Sequence, residues 1–508
     1  MTNTDTVTIR LHRKDNVVVA LNGLKKGDRV RVEEITAAQE IPPGHKLATA
    51  SIAAGETVIK YGQVIGTAVS DIEPGDHVHT HNLSAGEPAH QAAVGADARP
   101  TRRREADALT FDAFQRPDGS VATRNFIGVI STVNCSASVS RMIANEFPPA
   151  SLSDFPNVDG VVPICHGWGC GMAAAGEGFE ALRDCITGYG SHPNFAGLVM
   201  IGLGCEVMQL EALGTFRDLR DSGMLKLMNV QEEGGTGASV EAGVAHVRKM
   251  LPVADQASRQ PTPVDRLVGG LECGGSDAYS GISANPALGA AADLLVQQGG
   301  TVILGETPEI YGAEHLLTRR AVSPEVAGKL VERIRWWERY TARHGGEMDN
   351  NPTPGNKAGG LTTIFEKSLG AVAKAGSTDL IDVYRYAQPV TAKGLVFMDT
   401  PGYDPVSLTG MVAGGANLIC FTTGRGSVYG CRPVPSLKLA THTPMYERLE
   451  ADMDIDCGAI LNGGTTVAEM GRRIFETILS TASGQRTKSE MLGIGNDEFV
   501  PWQIGAVM

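Results

Sequence analysis

At 508 residues the chain exceeds what one hydrophobic core ordinarily serves, so two or three domains are expected. With 42% hydrophobic and 20% charged residues it is not a disordered chain, and no apolar run of about 18 residues exists to span a membrane. A net charge of -13 argues against non-specific nucleic-acid binding but leaves an anionic ligand open, because local loops set the potential at a site. Met1–Thr6 lacks the basic start and apolar core of a secretory leader. Nine scattered cysteines, an odd number, fit free thiols in a cytoplasmic protein better than a disulfide framework.

Residues 7–83 alternate short β-prone runs (Val7–Leu11, Val17–Leu21) with frequent Gly and Asp turns, which predicts a compact all-β module. Its last run, HVHTHN, carries His77, His79 and His81. In an extended strand all three imidazoles share one face, where they could ligate a metal, grip a carboxylate or simply form a polar contact surface. His12 and His45 lie near turns of the same module and are candidates to join them. Residues 84–107 are rich in Ala, Pro and Arg without periodicity and predict an exposed linker, with Arg102–Arg104 a solvated part of it.

An α/β region follows, at 108–262. Strands are expected at Phe126–Ser131, Val158–Ile164 and Phe195–Gly202, each running into a loop that carries a cysteine: Cys135, then Cys170 in HGWGCG, then Cys205 in GLGCE. A buried structural thiol is the usual fate of cysteine. Repetition at equivalent strand ends points instead to one shared site, with Cys273 as a fourth member, and four thiolates could hold iron or a cluster, although the spacing matches no recognised ligand pattern. Gly234–Gly237 opens a helix and could bind an anion or merely start the helix.

Residues 263–508 repeat strand, polar loop and helix most clearly. Leu267–Leu271 reads as a strand and runs into LECGGSDAYSGISANP (271–286), after which a helix is expected at 287–298 and a strand at Thr301–Leu304. Further strands at Lys393–Met398 and Asn417–Thr423 end in polar residues. The pattern predicts a doubly wound parallel sheet whose polar strand ends gather at one edge, where such sheets hold ligands. No GxGxxG with a following acidic residue, GxxxxGK[ST] or GxSxG is present, so no nucleotide cofactor is expected. The loops offer carboxylates, amides, thiols, Lys357 and Arg425, an inventory suited to a small polar acid and an oxygen-liganded divalent metal.

Taken together, RPDGSVATRN (116–125), HGWGCG (166–171), IGLGCE (201–206), LECGGSDAYSGISANP (271–286), ETPEIYGAEHLL (306–317), NPTPGNKAGGLTTIFEKSLG (351–370) and FTTGRGSVYG (421–430) resemble the altronate/galactarate dehydratase family. GHKLA, IKYGQVIG and HVHTHN look like that family's N-terminal β-clip, or SAF, domain. The resemblance implies a β-clip (SAF) module, an α/β middle domain and a Rossmann-like C-terminal domain with a metal site, in a homodimer. HVHTHN and LHRKDNV (11–17) look closer to the altronate branch, whereas DTPGYD (399–404) departs from it.

The implied reaction removes water from a 2,3-dihydroxy acid to give a 2-keto-3-deoxy acid. Galactarate, another sugar acid or sulfolactate (with loss of its sulfur group) are the alternative substrates, and a non-catalytic sugar-acid sensor is the alternative class. Glu306 and Glu309 are the candidate metal ligands with Asp277 as a third, for Fe(II) first and Mn(II) or Mg(II) otherwise. The competing reading of the two glutamates is a helix N-terminus dressed with acids. Lys357 and Arg425 would hold the acid group, His166 or His79 would carry protons, and Ser276, Asn285, Asn356 and Thr423 are the candidate substrate-binding residues.

Overall fold

The computed structural model describes residues 8–86, 93–101, 108–214 and 216–507. Val17–Ala20, three valines and an alanine, forms a wholly buried strand in an antiparallel four-stranded sheet with Thr8–Ile9, Lys46–Ala48 and His77–Val78. A three-stranded sheet of Thr57–Lys60, Gln63–Ala68 and Leu83–Ser84 and a two-stranded one of Arg29–Val30 and Ile35–Thr36 complete the N-terminal module. The histidine strand is shorter than expected and ends at Val78. His79 N–H donates to Asn82 Oδ1 at 2.9 Å and Asn82 Nδ2 donates back to the His77 carbonyl at 3.0 Å, so a turn, not an extended strand, presents the later histidines. Of the expected linker, residues 93–101 lie along the C-terminal region, with Arg319 on Asp97 and the Arg99 N–H on Asp379 Oδ1 at 2.7 Å. Arg102–Arg104 lies outside the described residues.

The middle region is built on a parallel sheet of β1 (Phe126–Ser131), β2 (Gly160–Ile164), β3 (Phe195–Gly202) and β4 (Leu225–Asn229), in the order β2-β1-β3-β4. The fourth strand is hidden in the sequence because Lys226 and Asn229 break its apolar pattern. Helix α1 (Asn134–Asn145) follows β1 and packs with Thr236–Ala254 on one face. Glu177–Gly190 covers the other.

Seven parallel strands form the C-terminal sheet: β5 (Val268–Cys273), β6 (Thr301–Leu304), β7 (Leu380–Tyr384), β8 (Leu395–Met398), β9 (Leu418–Thr423), β10 (Ser436–Ala440) and β11 (Ile455–Asp456). Their order is β7-β8-β6-β5-β9-β10-β11, so the winding reverses at β5. Insertion of β8 between β6 and β7 departs from the simplest dinucleotide-fold order. Alternate residues of each strand enter different cores, as the period of two requires. Val302, Leu304, Leu395, Phe397, Leu418 and Cys420 pack with helix α2 (Ala284–Gln297) and with Val58 and Ile65 of the N-terminal module. Ile303, Val396, Met398, Ile419 and Phe421 face the other way, into a core shared with Ile130, Val162 and Met200 of the middle sheet.

His192 lies where the middle and C-terminal regions meet. Its Nδ1 accepts from the Asn194 N–H at 3.1 Å, so Nε2 carries the proton and donates to the Ala416 carbonyl at 3.0 Å. Burial pushes its pKa down to about 4. The unfolded chain, with histidine near 6.5, therefore binds a proton between about pH 6.5 and 4 that the folded chain refuses. Stability contributed by this group is present above that window and is lost as pH falls through it, by about 3 kcal/mol. Thermal denaturation as a function of pH should show this fall, and a His192→Gln variant should show a shallower one. Equal slopes in the two proteins would exclude His192 as a source of acid sensitivity.

Candidate functional site

The carboxyl ends of β5, β6, β8, β9 and β10 meet at one edge of the C-terminal sheet, around the reversal at β5. Buried acids crowd there. Glu272 and Cys273 close β5, Glu306 and Glu309 follow β6, and the half-buried Asp404 begins the helix Asp404–Ala413 after β8. Glu306 is held in left-handed backbone (φ 64°), a conformation uncommon outside glycine, by its own N–H on Thr400 Oγ1 at 2.7 Å. Its Oε2 accepts from Lys374 Nζ at 2.6 Å and from the Cys273 N–H at 3.1 Å. Glu309 Oε1 accepts from Lys367 Nζ at 2.6 Å and Asn351 Nδ2 at 2.8 Å. The Cys273 thiol lies 3.4 Å from Oε2 of both glutamates.

These charges do not balance by ion pairing alone. Burial, reinforced by Glu306, pushes Glu272 well above the usual carboxylate range. Burial also raises Glu306, against the pull of Lys374. Asp404 is lifted to about 7 by burial, then by Glu306 and Glu309. Burial works on Glu309 as well, but Lys367 and Lys374 outweigh it and hold that carboxyl below its usual range. Oε1 of Glu272 and Oε1 of Glu306 are buried and make no hydrogen bond. Oxygens of Glu272, Glu306 and Asp404 come within 4.8 Å of one another, as do donor atoms of Cys273, Glu306 and Glu309. Buried carboxylate oxygens without donors need a proton or a cation, and this oxygen-rich set fits a divalent ion of the Mg(II), Mn(II) or Fe(II) class.

Four residues beyond Cys273, the same loop reaches a second space. Asp277 Oδ1 accepts from the N–H groups of Tyr279 (3.1 Å) and Ser280 (2.9 Å) and from Ser280 Oγ (3.0 Å). Its Oδ2 accepts from Thr441 Oγ1 at 3.1 Å and lies 3.5 Å from His442 Nε2. His442 Nδ1 caps the helix Thr443–Arg448 by accepting from the Met445 N–H at 3.3 Å, so Nε2 bears the proton facing Asp277. Glycine is required at 424, because a Cβ there would lie 2.1 Å from Asp277 Cγ. Arg425, exposed, hangs from Gly275 by its N–H at 2.9 Å. Asp277, Tyr279, Arg425 and His442, with Leu21 and Pro42 of the N-terminal module, line a cavity of about 540 Å³.

The N-terminal module closes this edge. His45 Nδ1 lies 2.9 Å from His77 Nε2, and His45 Nε2 reaches the Ala358 carbonyl at 3.4 Å. His79 sits with its ring 4.8 Å from that of His45, and ligand nitrogens of His45, His77 and His79 fall within 4.8 Å of one another. Burial and the neighbouring imidazoles depress His77 to about 3, and burial and Lys46 depress His79 to about 4. The rings are therefore neutral at physiological pH, the form that binds metal. Beside them Lys46 and Lys60 grip the two oxygens of Glu366 at 2.9 and 2.8 Å, on the helix Ile364–Val372.

Several expected members fall elsewhere. Asp277 is spent on its turn and on His442 and is not in the Glu306–Glu309 group. Cys273 belongs to the acids of the C-terminal sheet rather than to the other three expected thiols. His12 packs on Gly62 and is not in the imidazole group, while His81 touches only its margin, 5.4 Å ring to ring from His77. His166 lies in the loop after β2 in the middle region, its Nδ1 on the Trp168 N–H at 3.1 Å and its ring against Phe499. Asn285 is consumed by Gly370 and Thr422, and Asn356 by a capping box and the Ser276 carbonyl. Thr423 Oγ1 accepts from the Gly426 N–H at 3.0 Å, and Ser276 is buried beside them. Lys357 is half-buried on a short helix, Pro354–Ala358. Sequence reading missed Glu272, Asp404, His442, Glu366 and the buried Lys46, Lys60, Lys367 and Lys374. Only Asp404 had a signal, its place before Pro405 at the end of a polar strand-end loop.

Comparison with known proteins covers the same ground. Residues 6–86 match the altronate/galactarate dehydratase SAF domain, 113–255 the D-galactarate dehydratase/altronate hydrolase second domain, and 264–507 the D-galactarate/altronate dehydratase C-terminal domain. The chain is 33% identical to altronate dehydratase of Bacillus subtilis (strain 168), over 95% of this chain and 96% of that one. It is 35% identical to altronate dehydratase of Escherichia coli (strain K12), over 95% and 96% of the two chains. It is 38% identical to galactarate dehydratase (L-threo-forming) of the same organism, over 96% and 95%.

Proposed function

The chain belongs to the D-galactarate/altronate dehydratase family, a family of hydro-lyases, and from that premise we propose that it removes water from a sugar acid, altronate first, to give a 2-keto-3-deoxy acid. Support for this reading comes from the cavity between the N-terminal module and the C-terminal sheet. An exposed guanidinium and an Asp-backed histidine both line it, and its volume of about 540 Å³ is within the range of small-molecule sites. Arg425 binds the substrate carboxylate, a planar match for its fork of donors. His442 offers its Nε2–H as a hydrogen-bond donor to the departing β-hydroxyl, while Asp277 fixes the tautomer that keeps the proton on that nitrogen.

Glu272, Glu306 and Asp404, or Glu306 and Glu309 with Cys273, would hold a divalent cation, which would supply Lewis acidity that makes the proton beside a carboxylate easier to remove. Lys367 and Lys374 keep Glu309 and Glu306 from repelling each other when no cation is bound. Altronate stands first because of the HVHTHN and LHRKDNV stretches and the two relatives that bear its name.

A panel of altronate, galactarate and sulfolactate, read by formation of the 2-keto acid, tests the substrate. Turnover of galactarate alone would move the assignment within the family, and ligand-induced stabilisation without product from any of them would favour a sensor. Exhaustive chelation should abolish turnover and Fe(II), Mn(II) or Mg(II) should restore it. Glu306→Gln should lower turnover by about 10²-fold with the fold intact. Full activity after chelation would remove the metal from this reading.

A further inference from the structure

Three histidines of the N-terminal module meet from two places in its chain. His45 precedes the strand Lys46–Ala48, and His77 opens the strand His77–Val78 that pairs with it, Leu47 against His77. Val78, without solvent exposure, anchors the backbone between His77 and His79 in the core. The turn closed by Asn82 then holds His79 beside the other two. Ring centroids stand 5.0 Å apart for His45 and His77, 4.8 Å for His45 and His79, and 5.3 Å for His77 and His79. The three rings form a nearly equilateral triangle.

One nitrogen from each ring lies within 4.8 Å of the others, and His45 Nδ1 stands 2.9 Å from His77 Nε2. Two nitrogens bound to one ion at about 2.1 Å are themselves roughly 3.0–3.4 Å apart, according to the angle between them. The pair is thus already set close to the spacing that an ion requires. Nδ1 of His79 is buried and makes no hydrogen bond, which is costly unless another group takes it up. His45 Nε2 donates to the Ala358 carbonyl at 3.4 Å, which leaves Nδ1 as an acceptor on the side of His77. A backbone carbonyl behind the ring is one way in which metal-binding histidines are oriented.

The charged groups that act on these rings are Lys46, which opposes a cation, and Glu366, which pairs with Lys46 at 2.9 Å and offsets it. Neutral imidazoles carry no proton that an ion must first displace from a charged ring. A donor set made only of imidazole nitrogen suits Zn(II), Co(II) or Ni(II), whereas Mg(II) and Ca(II) demand oxygen. That chemistry separates the triad from the oxygen-rich acids around Glu306. Three protein ligands also leave a tetrahedral ion one open position. Pro42 and Pro43, just before His45, and Ala358, which accepts from it, line the 540 Å³ cavity, so the triad backs onto that space.

We propose that His45, His77 and His79 form a nitrogen-liganded metal site, which takes one divalent transition ion of the Zn(II) or Co(II) class and keeps one coordination position for water or a small anion. The site differs in donors and in place from the acids around Glu306. It goes beyond the proposed dehydration and does not rest on it.

Untagged full-length protein, stripped of metal by chelation and kept in excess Mg(II) to fill oxygen-rich groups, is titrated with Co(II). It should bind one Co(II) per chain with a visible absorption, which Zn(II) abolishes and Ca(II) does not. His77→Ala and His79→Ala should each weaken that binding by about 10²-fold or more while keeping the parent circular dichroism, both rings being only half-buried. His12→Ala, outside the triad, and Glu306→Gln should bind Co(II) as the parent does. X-ray absorption at the cobalt edge of the parent protein should show imidazole nitrogen around the ion, a reading that stands even if a variant fails to fold. No bound Co(II), binding unchanged in both alanine variants, binding lost in Glu306→Gln, or a shell of oxygen alone would each overturn the proposal. Because bound metal is measured directly, an inactive substrate panel leaves this result standing.

Discussion

Replacing His442 with Asn is expected to lower kcat by about 10²–10³-fold while the fold survives. The choice of Asn separates two duties of this side chain. His442 caps the helix Thr443–Arg448 through Nδ1, and Asn is among the best residues for that task. What Asn cannot do is place a donor where Nε2 stands, beside Asp277. Asp277→Asn should be nearly as damaging, since the amide no longer fixes the tautomer of His442, and the double variant should be little worse than either single one. Arg425→Lys should act differently, raising KM more than it lowers kcat, because an ammonium keeps the charge but loses the bidentate fork. Steady-state kinetics on the best substrate of the panel measure all four. Wild-type kcat in His442→Asn would remove this histidine from the chemistry and return attention to the neutral His45–His77–His79 group.

Glu366→Gln is expected to destabilise the protein by about 3–5 kcal/mol. Lys46, Lys60 and Glu366 are essentially without solvent exposure, and one carboxylate neutralises two ammonium groups. Thr362 adds hydrogen bonds from its N–H and hydroxyl to Glu366 Oε2, at 2.9 and 2.6 Å. Removing the negative charge strands two buried cations, each of which must then lose its proton or draw in water. Burial already pulls Lys46 down to about 8. Burial opposes the charge of Glu366 too, but the lysines outweigh it and hold its pKa far below the usual carboxylate range. Because that folded-state pKa is depressed, the clasp contributes stability above the unfolded value near 4.3 and gives it up only in strong acid. Since the lysines come from the N-terminal module and the acid from the C-terminal region, the loss should appear as early protease cleavage between them as well as a lower denaturant midpoint. Replacing the whole triad by Met, Met and Leu should recover most of the stability, because an apolar trio pays no desolvation cost. A Glu366→Gln protein as stable as the parent would mean that water reaches this clasp.

Much of the scaffold follows from local pattern. The strands β1, β3 and β6 fall where apolar, β-branched runs between turn residues place them, at Phe126–Ser131, Phe195–Gly202 and Thr301–Leu304. β4 and β7 escape such reading because Lys226, Asn229 and Asp382 interrupt their runs, and their strand state depends on neighbours already in the sheet. Among the site residues, Glu306, Glu309, Arg425 and the histidine run are visible because each sits in a polar loop after a strand or turn. Lys46, Lys60, Lys367 and Lys374 are not, since an isolated lysine on an exposed face and one buried against a carboxylate look the same in a linear chain.

By itself the sequence determined the succession of a β-rich module, an α/β region and a parallel C-terminal sheet, and it placed polar strand ends as the seat of chemistry, because hydrophobic period and turn residues act over a few positions. Tertiary structure alone decided the partners. It put Cys273 with Glu306 and Glu309 instead of with the exposed cysteines, turned Asp277 toward His442, and brought His45 and Lys46 across more than 300 positions onto Ala358 and Glu366. Those pairings rest on buried charge and on loops that meet at a sheet edge, and both exist only once the chain has closed.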